Sequence, residues 1–303
     1  MINVIFMGTP DYAQKILKTL LDTNDINIVS VYTQPDKPVG RKKVMTSPEV
    51  KILADENNIP VYQPTRLRDE KVVAELVVQK CDYIVVAAYG QILPKEILDH
   101  APCINLHASI LPQYRGASPI QQTLLNGDMK TGVTAMLMEE GLDTGDILKI
   151  KEVSVAKDTL VATLFDTLTE VASELTVDVL QNFSLYSPKK QDEKKATHCK
   201  KITKSHGEVK FDDALTLYNK YRAFTPWPGI FLESGLKLKT ITLVETEEKH
   251  KAGEILEINK NNIVIGCEKG SISIERVQAP SKKEVEISAY INGKRLSIEN
   301  TLS

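Results

Sequence analysis

The sequence predicts an α/β protein, with a doubly wound, mostly parallel sheet followed by a smaller antiparallel β-barrel. Three observations carry this. The first half alternates short apolar, β-branched runs with amphipathic stretches of helical period, and strand followed by helix, repeated, builds a parallel sheet buried on both faces. Beyond residue 188 the texture changes to short strands punctuated by turns, which suits a small antiparallel barrel. The chain has 303 residues, and single cores stop growing near ~250 to 300 residues, so two domains are expected.

The predicted strands of the first half are INVIFMG, INIVSVY, YIVVAAYG and GVTAMLM, all too apolar to alternate and so expected in the interior of a parallel sheet. Helical period marks YAQKILKTLLD, EVKILADENN and EKVVAELVVQK, and a longer helix, DTLVATLFDTLTEVASELTVDVLQNF, closes the domain near Phe183. The tract SPKKQDEKKATHCKKITKSHGE is polar, Lys-rich and without period, and reads as a linker. Residues 1–188 are therefore expected to form a catalytic domain, 189–207 a basic linker and 208–303 the β-barrel domain. Within the last, ALTLYNKYRAF reads as a helix, and GIFLESGLKLKTITLVE and GEILEINKNNIVIGCEKGSISIERVQAP as strands and turns.

Composition excludes several classes. With 42% hydrophobic and 26% charged residues and a mean hydropathy of -0.18, the chain is neither disordered nor a membrane protein. Cys81, Cys103, Cys199 and Cys267 show no CxxC spacing, so neither a zinc site nor a disulfide framework is expected, and a reducing compartment fits. The start MINVIFMGTPD lacks a basic region before its short apolar run, which argues against a signal peptide and places the protein in the cytoplasm. Residues 1–188 carry 17 basic against 24 acidic side chains and residues 189–303 carry 21 against 16, net -7 and +5. Such asymmetry suits a second half that faces a polyanion.

The first strand ends in FMGTPDYA. A G-x-G-x-x-G turn would be needed for close approach to a pyrophosphate, and only Gly8 is present, which argues against a nicotinamide dehydrogenase; a P-loop is missing too. Gly8 reads either as a tight turn or as a ligand position. The loop TQPDKPVGRKKVMTSPE carries Lys37, Arg41, Lys42 and Lys43, a cationic surface for nucleic-acid phosphate or a solvated loop.

The chemistry concentrates further on. In CINLHASILPQYRGASP, Asn105 and His107 stand two apart, so in a strand they leave the same face. An amide beside an imidazole can grip a developing oxyanion, or one can orient while the other moves a proton. A carboxylate partner is supplied by EEGLDTGDI, where Asp143 lies between Gly141 and Gly145; glycines on both sides permit the left-handed dihedrals needed to bring the acid into a cleft between strands. Asp146 is the rival, expected to cap or to face solvent. Each of the three alone could be structural: Asn105 satisfying backbone groups, His107 a core histidine, Asp143 an Asx-turn residue. His100, His198, His206 and His250 are expected at the surface or in the linker, and Trp227, the one tryptophan, as a packing anchor.

The run NLHASILPQYRGASP with GLDTGD resembles the folate-dependent formyltransferases, and MGTPDYA, the basic loop, AYGQILP and YRAFTPWPG extend the resemblance to nearly the whole chain, on the side of the family that formylates charged tRNA. The resemblance implies a Rossmann-like formyltransferase domain and a C-terminal barrel of the OB-like, oligonucleotide-binding type. It also implies a catalytic trio Asn105, His107 and Asp143. A tetrahydrofolate-binding loop follows at Ser109, Ile110, Leu111 and Pro112, and a pterin-holding segment at Tyr89, Gly90, Gln91, Ile92 and Leu93. Arg41 matches a basic residue of a loop that reaches toward the tRNA acceptor stem, so Lys37, Arg41, Lys42 and Lys43 are the implied tRNA contacts. The implied donor is 10-formyltetrahydrofolate, with no metal, and the acceptor is charged initiator tRNA, in translation initiation; a monomer with no membrane partner is expected. Ile110 replaces the usual Leu, GRKKV lacks a glycine that relatives often carry, and His198 and Cys199 stand where an aromatic and a small residue are usual. The competing readings are an enzyme formylating an amino sugar, a non-catalytic nucleic-acid-binding module and a nicotinamide oxidoreductase.

Overall fold

The computed structural model describes residues 1–40 and 42–302. Two compact units are present: Met1–Pro119 with Lys130–Ser154 and Phe165–Cys199, and Ile120–Met129 with Val155–Leu164 and Lys200–Ser303.

The first unit is built on a seven-stranded sheet, in the spatial order Ile147–Ser154, Lys130–Leu137, Cys103–His107, Tyr83–Ala87, Ile2–Gly8, Ile26–Tyr32, Val61–Tyr62. Its last five strands run parallel, whereas Lys130–Leu137 is antiparallel to both neighbours. The predicted strand GVTAMLM is thus a buried strand of the opposite direction to that expected. Six of its eight residues are buried, and an unbroken apolar run reports burial on both faces without encoding direction.

Helix Asp11–Leu21 shows why these segments fold as they do. Ala13, Ile16, Leu17 and Leu20 recur at helical spacing and are fully buried, the larger three contributing about 2 kcal/mol each by removal from water, while Asp11 sits favourably in the positive first turn. This helix packs close to the first strand at Gly8, where a Cβ would stand 2.5 Å from Ala13 Cβ and 2.9 Å from the Ala87 carbonyl oxygen. Close approach explains that glycine.

The tract read as a linker contributes to the first unit as far as Cys199. Residues His198 and Cys199 pair in parallel with Arg115 and Gly116, and Thr197 N–H donates to the Pro112 carbonyl at 3.2 Å. These are polar and backbone contacts, which leave no hydrophobic period in the sequence.

In the second unit six antiparallel strands form one sheet, ordered Ile230–Phe231, Lys237–Glu245, Ser271–Gln278, Ile263–Gly266, Ile255–Ile258, with Val285–Glu286 also paired to Ser271–Gln278. Three register irregularities along Lys237–Glu245 add twist and bend to its strand pair. Helix Ala214–Phe224 is capped by Asp213, whose carboxylate accepts the Thr216 N–H at 2.6 Å. From that helix the buried Arg222 donates to the carbonyls of Ala156 at 3.2 Å and Leu124 at 3.4 Å, which explains how two short excursions of the chain join this unit.

Trp227 is 60% exposed, not a packing anchor. Phe224 and Ile230 on either side take the buried places, leaving the indole on the outside of the Pro226–Pro228 turn. Among the described residues, no helix is long and apolar enough to cross a membrane.

Candidate active site

Strand order reverses between Ile2–Gly8 and Tyr83–Ala87, and ligands of doubly wound sheets bind outside the carboxyl ends of the strands at such a switch point. Thr9 Oγ1 donates to the Tyr89 carbonyl at 3.2 Å and joins the loops leaving these two strands. One strand further along, in register through Val86 and Asn105, lies Cys103–His107.

Asn105, His107 and Asp143 come together here. Asn105 Nδ2 donates to Asp143 Oδ1 at 3.4 Å, and His107 Nδ1 lies 3.7 Å from Asp143 Oδ2. The other imidazole nitrogen, Nε2, is 2.9 Å from the Tyr114 carbonyl oxygen. A carbonyl only accepts, so Nε2 carries the proton, and Nδ1 is left to face the carboxylate as a free lone pair or, in the imidazolium, as a second donor. His107 and Asp143 are both largely buried, at 7% and 13% side-chain exposure, where charges are weakly screened.

The turn carrying Asp143 contains a left-handed residue, and it is the acid rather than a glycine. Asp143 itself is left-handed, with φ of +54°, a conformation aspartate tolerates better than most residues, whereas neither flanking glycine is. Gly145 serves another purpose: a Cβ there would lie 1.8 Å from the Leu137 carbonyl oxygen. Gly116 N–H donates to Asp143 Oδ2 at 2.8 Å, and Gln191 Nε2 donates to the carbonyls of Asp143 and Gly145, each at 2.8 Å. Asp146 offers its carbonyl to the Leu137 N–H at 2.9 Å, a strand contact.

The loop after His107 is shaped by residues the sequence reading passed over. Thr134, fully buried and paired in register with His107, donates to the Ser109 carbonyl at 2.6 Å and accepts the Leu111 N–H at 3.1 Å. Ser109 Oγ donates to the Gln113 carbonyl at 2.5 Å, Leu111 is buried, and Ile110 and Pro112 are half-buried. Arg115 is 2% exposed; its Nε donates to Gln191 Oε1 at 3.0 Å and its Nη1 and Nη2 pair with Glu193 at 3.0 and 2.7 Å. The guanidinium holds the Glu193 carboxyl below the usual carboxylate range. Thr134 could be found only through strand pairing, and Gln191 and Glu193 sit in the tract read as linker.

In the segment 89–93, Tyr89 and Leu93 belong to the core, and the Tyr89 hydroxyl is buried without a hydrogen-bond partner. Gln91 is engaged with backbone, accepting the Leu67 N–H at 2.7 Å and donating to the Pro64 carbonyl at 2.9 Å. Gly90 and Ile92, the latter 84% exposed, are left open at the strand ends.

The basic loop is a hairpin, Lys37–Val39 paired with Val44–Thr46. Asp36 fixes its base through Lys51 and Gln63 at 3.0 and 2.7 Å, and these hydrogen bonds lower its pKa. Lys37, Lys42 and Lys43 are exposed, and Arg41 lies outside the described residues.

Burial pushes the Cys103 thiol up to about 12 and the Cys81 thiol up to about 11, and it also raises that of Cys199, beside Tyr114. A groove of about 560 Å³ lined by Gln14, Lys18, Leu53 and Glu174 contains none of the expected site residues. In the second unit His250, expected at the surface, is 18% exposed, with Nε2 3.7 Å from Glu248 and 4.0 Å from Glu245; among the described residues this is the one grouping that could hold a metal ion.

The fold is a doubly wound α/β domain with Asn105, His107 and Asp143 gathered beside one another after its central strands. The formyl transferase family model matches residues 2–180 and the formyl transferase C-terminal domain model residues 201–295, and the chain belongs to the formyl transferase family. It is 64% identical over 301 residues to methionyl-tRNA formyltransferase of Sulfurimonas denitrificans, covering 99% of this chain and 100% of that one. Its identity to the protein of the same name from a Nitratiruptor species is 56% over 301 residues, 99% of each. Among solved structures, the N-formyltransferase from Helicobacter canadensis in complex with folinic acid and dTDP-3-aminofucose shares the fold at a TM-score of 0.67 and 17% identity, over 92% of this chain and 100% of that one. HypX from Aquifex aeolicus with tetrahydrofolic acid does so at 0.63 and 17%, over 100% of this chain and 49% of that one.

Proposed function

We infer that the chain transfers the formyl group of 10-formyltetrahydrofolate to the α-amino group of methionyl initiator tRNA, the modification that prepares that tRNA for translation initiation. The observation that carries this is the meeting of Asn105, His107 and Asp143 within 3.4 to 3.7 Å in a chain 64% identical, over 99% of its length, to a protein of that name.

A neutral amine is already a nucleophile, so the protein's tasks are charge stabilisation and proton movement. Asn105 has a second amide N–H beyond the one directed at Asp143, and presents it to the oxygen of the formyl group as negative charge develops there. His107 acts through Nδ1, because Nε2 is committed to the Tyr114 carbonyl. Asp143 accepts the proton that the amine loses as the new C–N bond forms, directly or through water. His107 Nδ1–H or a water held by Asp143 returns a proton to the folate nitrogen as its bond to the formyl carbon breaks.

The loop Ser109–Pro112 and the open Gly90 and Ile92 fit a pterin held near the switch point. Lys37, Arg41, Lys42 and Lys43 supply cationic contacts for the tRNA, the tract 189–207 adds seven lysines against two acidic side chains, and residues 208–303, whose basic and acidic side chains balance, serve as a further tRNA-binding domain. Residues 1–188 carry the chemistry, and the protein works as a cytoplasmic monomer.

Transfer of labelled formyl from 10-formyltetrahydrofolate tests the reading, with charged initiator tRNA, uncharged tRNA and a free amino sugar offered in parallel. Label on the charged tRNA alone is the expected result. Label on the sugar, or none from folded protein, would overturn the proposed acceptor.

A further inference from the structure

Asp143 occupies a left-handed backbone conformation, φ +54°, uncommon for a residue with a side chain although aspartate tolerates it better than most. The carboxylate is held by Gly116 N–H and Asn105, and neither bond reaches the peptide on which it is mounted. That peptide is restrained by one side chain from 48 residues further along. Gln191 Nε2 donates one N–H to the Asp143 carbonyl and the other to the Gly145 carbonyl, both at 2.8 Å, spanning the turn.

The amide can do this in one orientation only. Arg115 has donors and no acceptor, so the end of Gln191 beside it must be the oxygen; the two turn carbonyls only accept, so the end beside them must be the nitrogen. Arg115 is itself 2% exposed and fixed by its two-toothed pairing with Glu193. A chain of hydrogen bonds, charge-assisted as far as Gln191, thus runs from Glu193 through Arg115 and Gln191 to the backbone of Asp143.

We propose that Gln191 is a positioning residue for Asp143, oriented by the Arg115–Glu193 pair, so that the segment 189–195 sets the reach of the catalytic carboxylate. The inference rests on the proposed role of Asp143 in formyl transfer. Gln191 itself touches no reacting atom.

Two substitutions separate positioning from mere attachment of the segment. Gln191→Glu keeps the shape and the contact with Arg115 but cannot donate to the carbonyls, and Gln191→Met keeps the volume without charge or hydrogen bond. Both are expected to lower kcat at saturating 10-formyltetrahydrofolate and charged tRNA by about tenfold or more, with both Michaelis constants within about twofold. In an Asp143→Ala background neither should lower kcat further, because a residue acting through Asp143 has nothing left to position. Normal kcat in Gln191→Glu, a change confined to KM, or an equal loss with and without Asp143 would each overturn the proposal. If Gln191→Met fails to fold, Glu193→Gln, at the exposed end of the chain of bonds, is expected to give a smaller loss of kcat with the same dependence on Asp143; an Asp143-independent loss counts against it. The unaltered chain in the same assay decides the formyl-transfer reading separately.

Discussion

The segment Ser109–Gly116 and the hairpin Lys37–Thr46 belong to the same unit and are built in opposite ways. The first is mostly buried and pinned along its length, by Thr134 to Ser109 and Leu111, by Thr197 to Tyr114, and by the Tyr114 carbonyl to His107. The second is exposed at each described position from Lys37 to Thr46, including Val39, Val44 and Met45, and is fixed at its base by Asp36. Displacing a catalytic group by an ångström costs rate, so chemistry calls for the pinned construction. Contacts with phosphate act through charge at longer range and tolerate an open one. Alterations to the first region should therefore be read in kcat, and alterations to the second in tRNA affinity.

The largest effect is expected from the trio. His107→Ala and Asp143→Ala should each lower kcat by about a hundredfold or more, the scale of a positioned acid–base group, with tRNA affinity little changed in a binding measurement. A folded variant with near-normal turnover would remove that residue from the mechanism. Next comes Thr134→Val, nearly isosteric, which leaves the Leu111 N–H and the Ser109 carbonyl buried without their partner. Chemical denaturation should show a loss of about 1 to 3 kcal/mol, and kcat/KM for the folate donor should fall with it. Unchanged stability would mean that the loop holds its shape without Thr134.

The hairpin should respond otherwise. Lys42→Ala and Lys43→Ala are each expected to reduce the slope of log affinity against log salt by about one while leaving kcat at saturating tRNA intact. Loss of kcat without any change in the salt slope would blur the contrast between the two regions.

Legibility in the sequence followed the same division. Asn105 and His107 could be paired because strand geometry puts alternate residues on one face, and Asp143 because its turn residues cluster locally. Which residue of that turn is left-handed was not legible, since glycine permits the conformation without requiring it, and Gly145 is there for the Leu137 carbonyl. Thr134 acquires its meaning only from pairing with His107 across a non-local strand contact, and the reversed direction of that strand leaves no trace in its apolar run. Gln191 and Glu193 looked like linker because hydrogen bonds have no period.

Acid should loosen the buried clamp while leaving the hairpin's exposed lysines charged. Glu193 has its pKa lowered in the folded protein, chiefly by the hydrogen bonds from Arg115, so its pairing favours folding at pH above the ordinary glutamate value of 4.5 and ceases to do so as pH falls through the lower folded value. Glu193 itself is exposed, so the effect on global stability is small. Comparing the acid limb of the unfolding profile of the unaltered chain with that of Glu193→Gln should show a slightly shallower loss in the variant. Identical limbs would mean that solvent screens the pair.

The smallest effect is expected at Trp227. A buried tryptophan replaced by alanine costs about 3 to 5 kcal/mol, but this one is 60% exposed, and the buried contacts of its turn are made by Phe224 and Ile230. Trp227→Ala should therefore cost under about 1 kcal/mol in chemical denaturation, as surface substitutions usually do. Because the chain has one tryptophan, its emission reports this position alone, and the unaltered protein should show the red-shifted, readily quenched fluorescence of a solvated indole. A blue-shifted emission together with a large stability loss would return Trp227 to the core and require a different packing of the turn between Phe224 and Ile230.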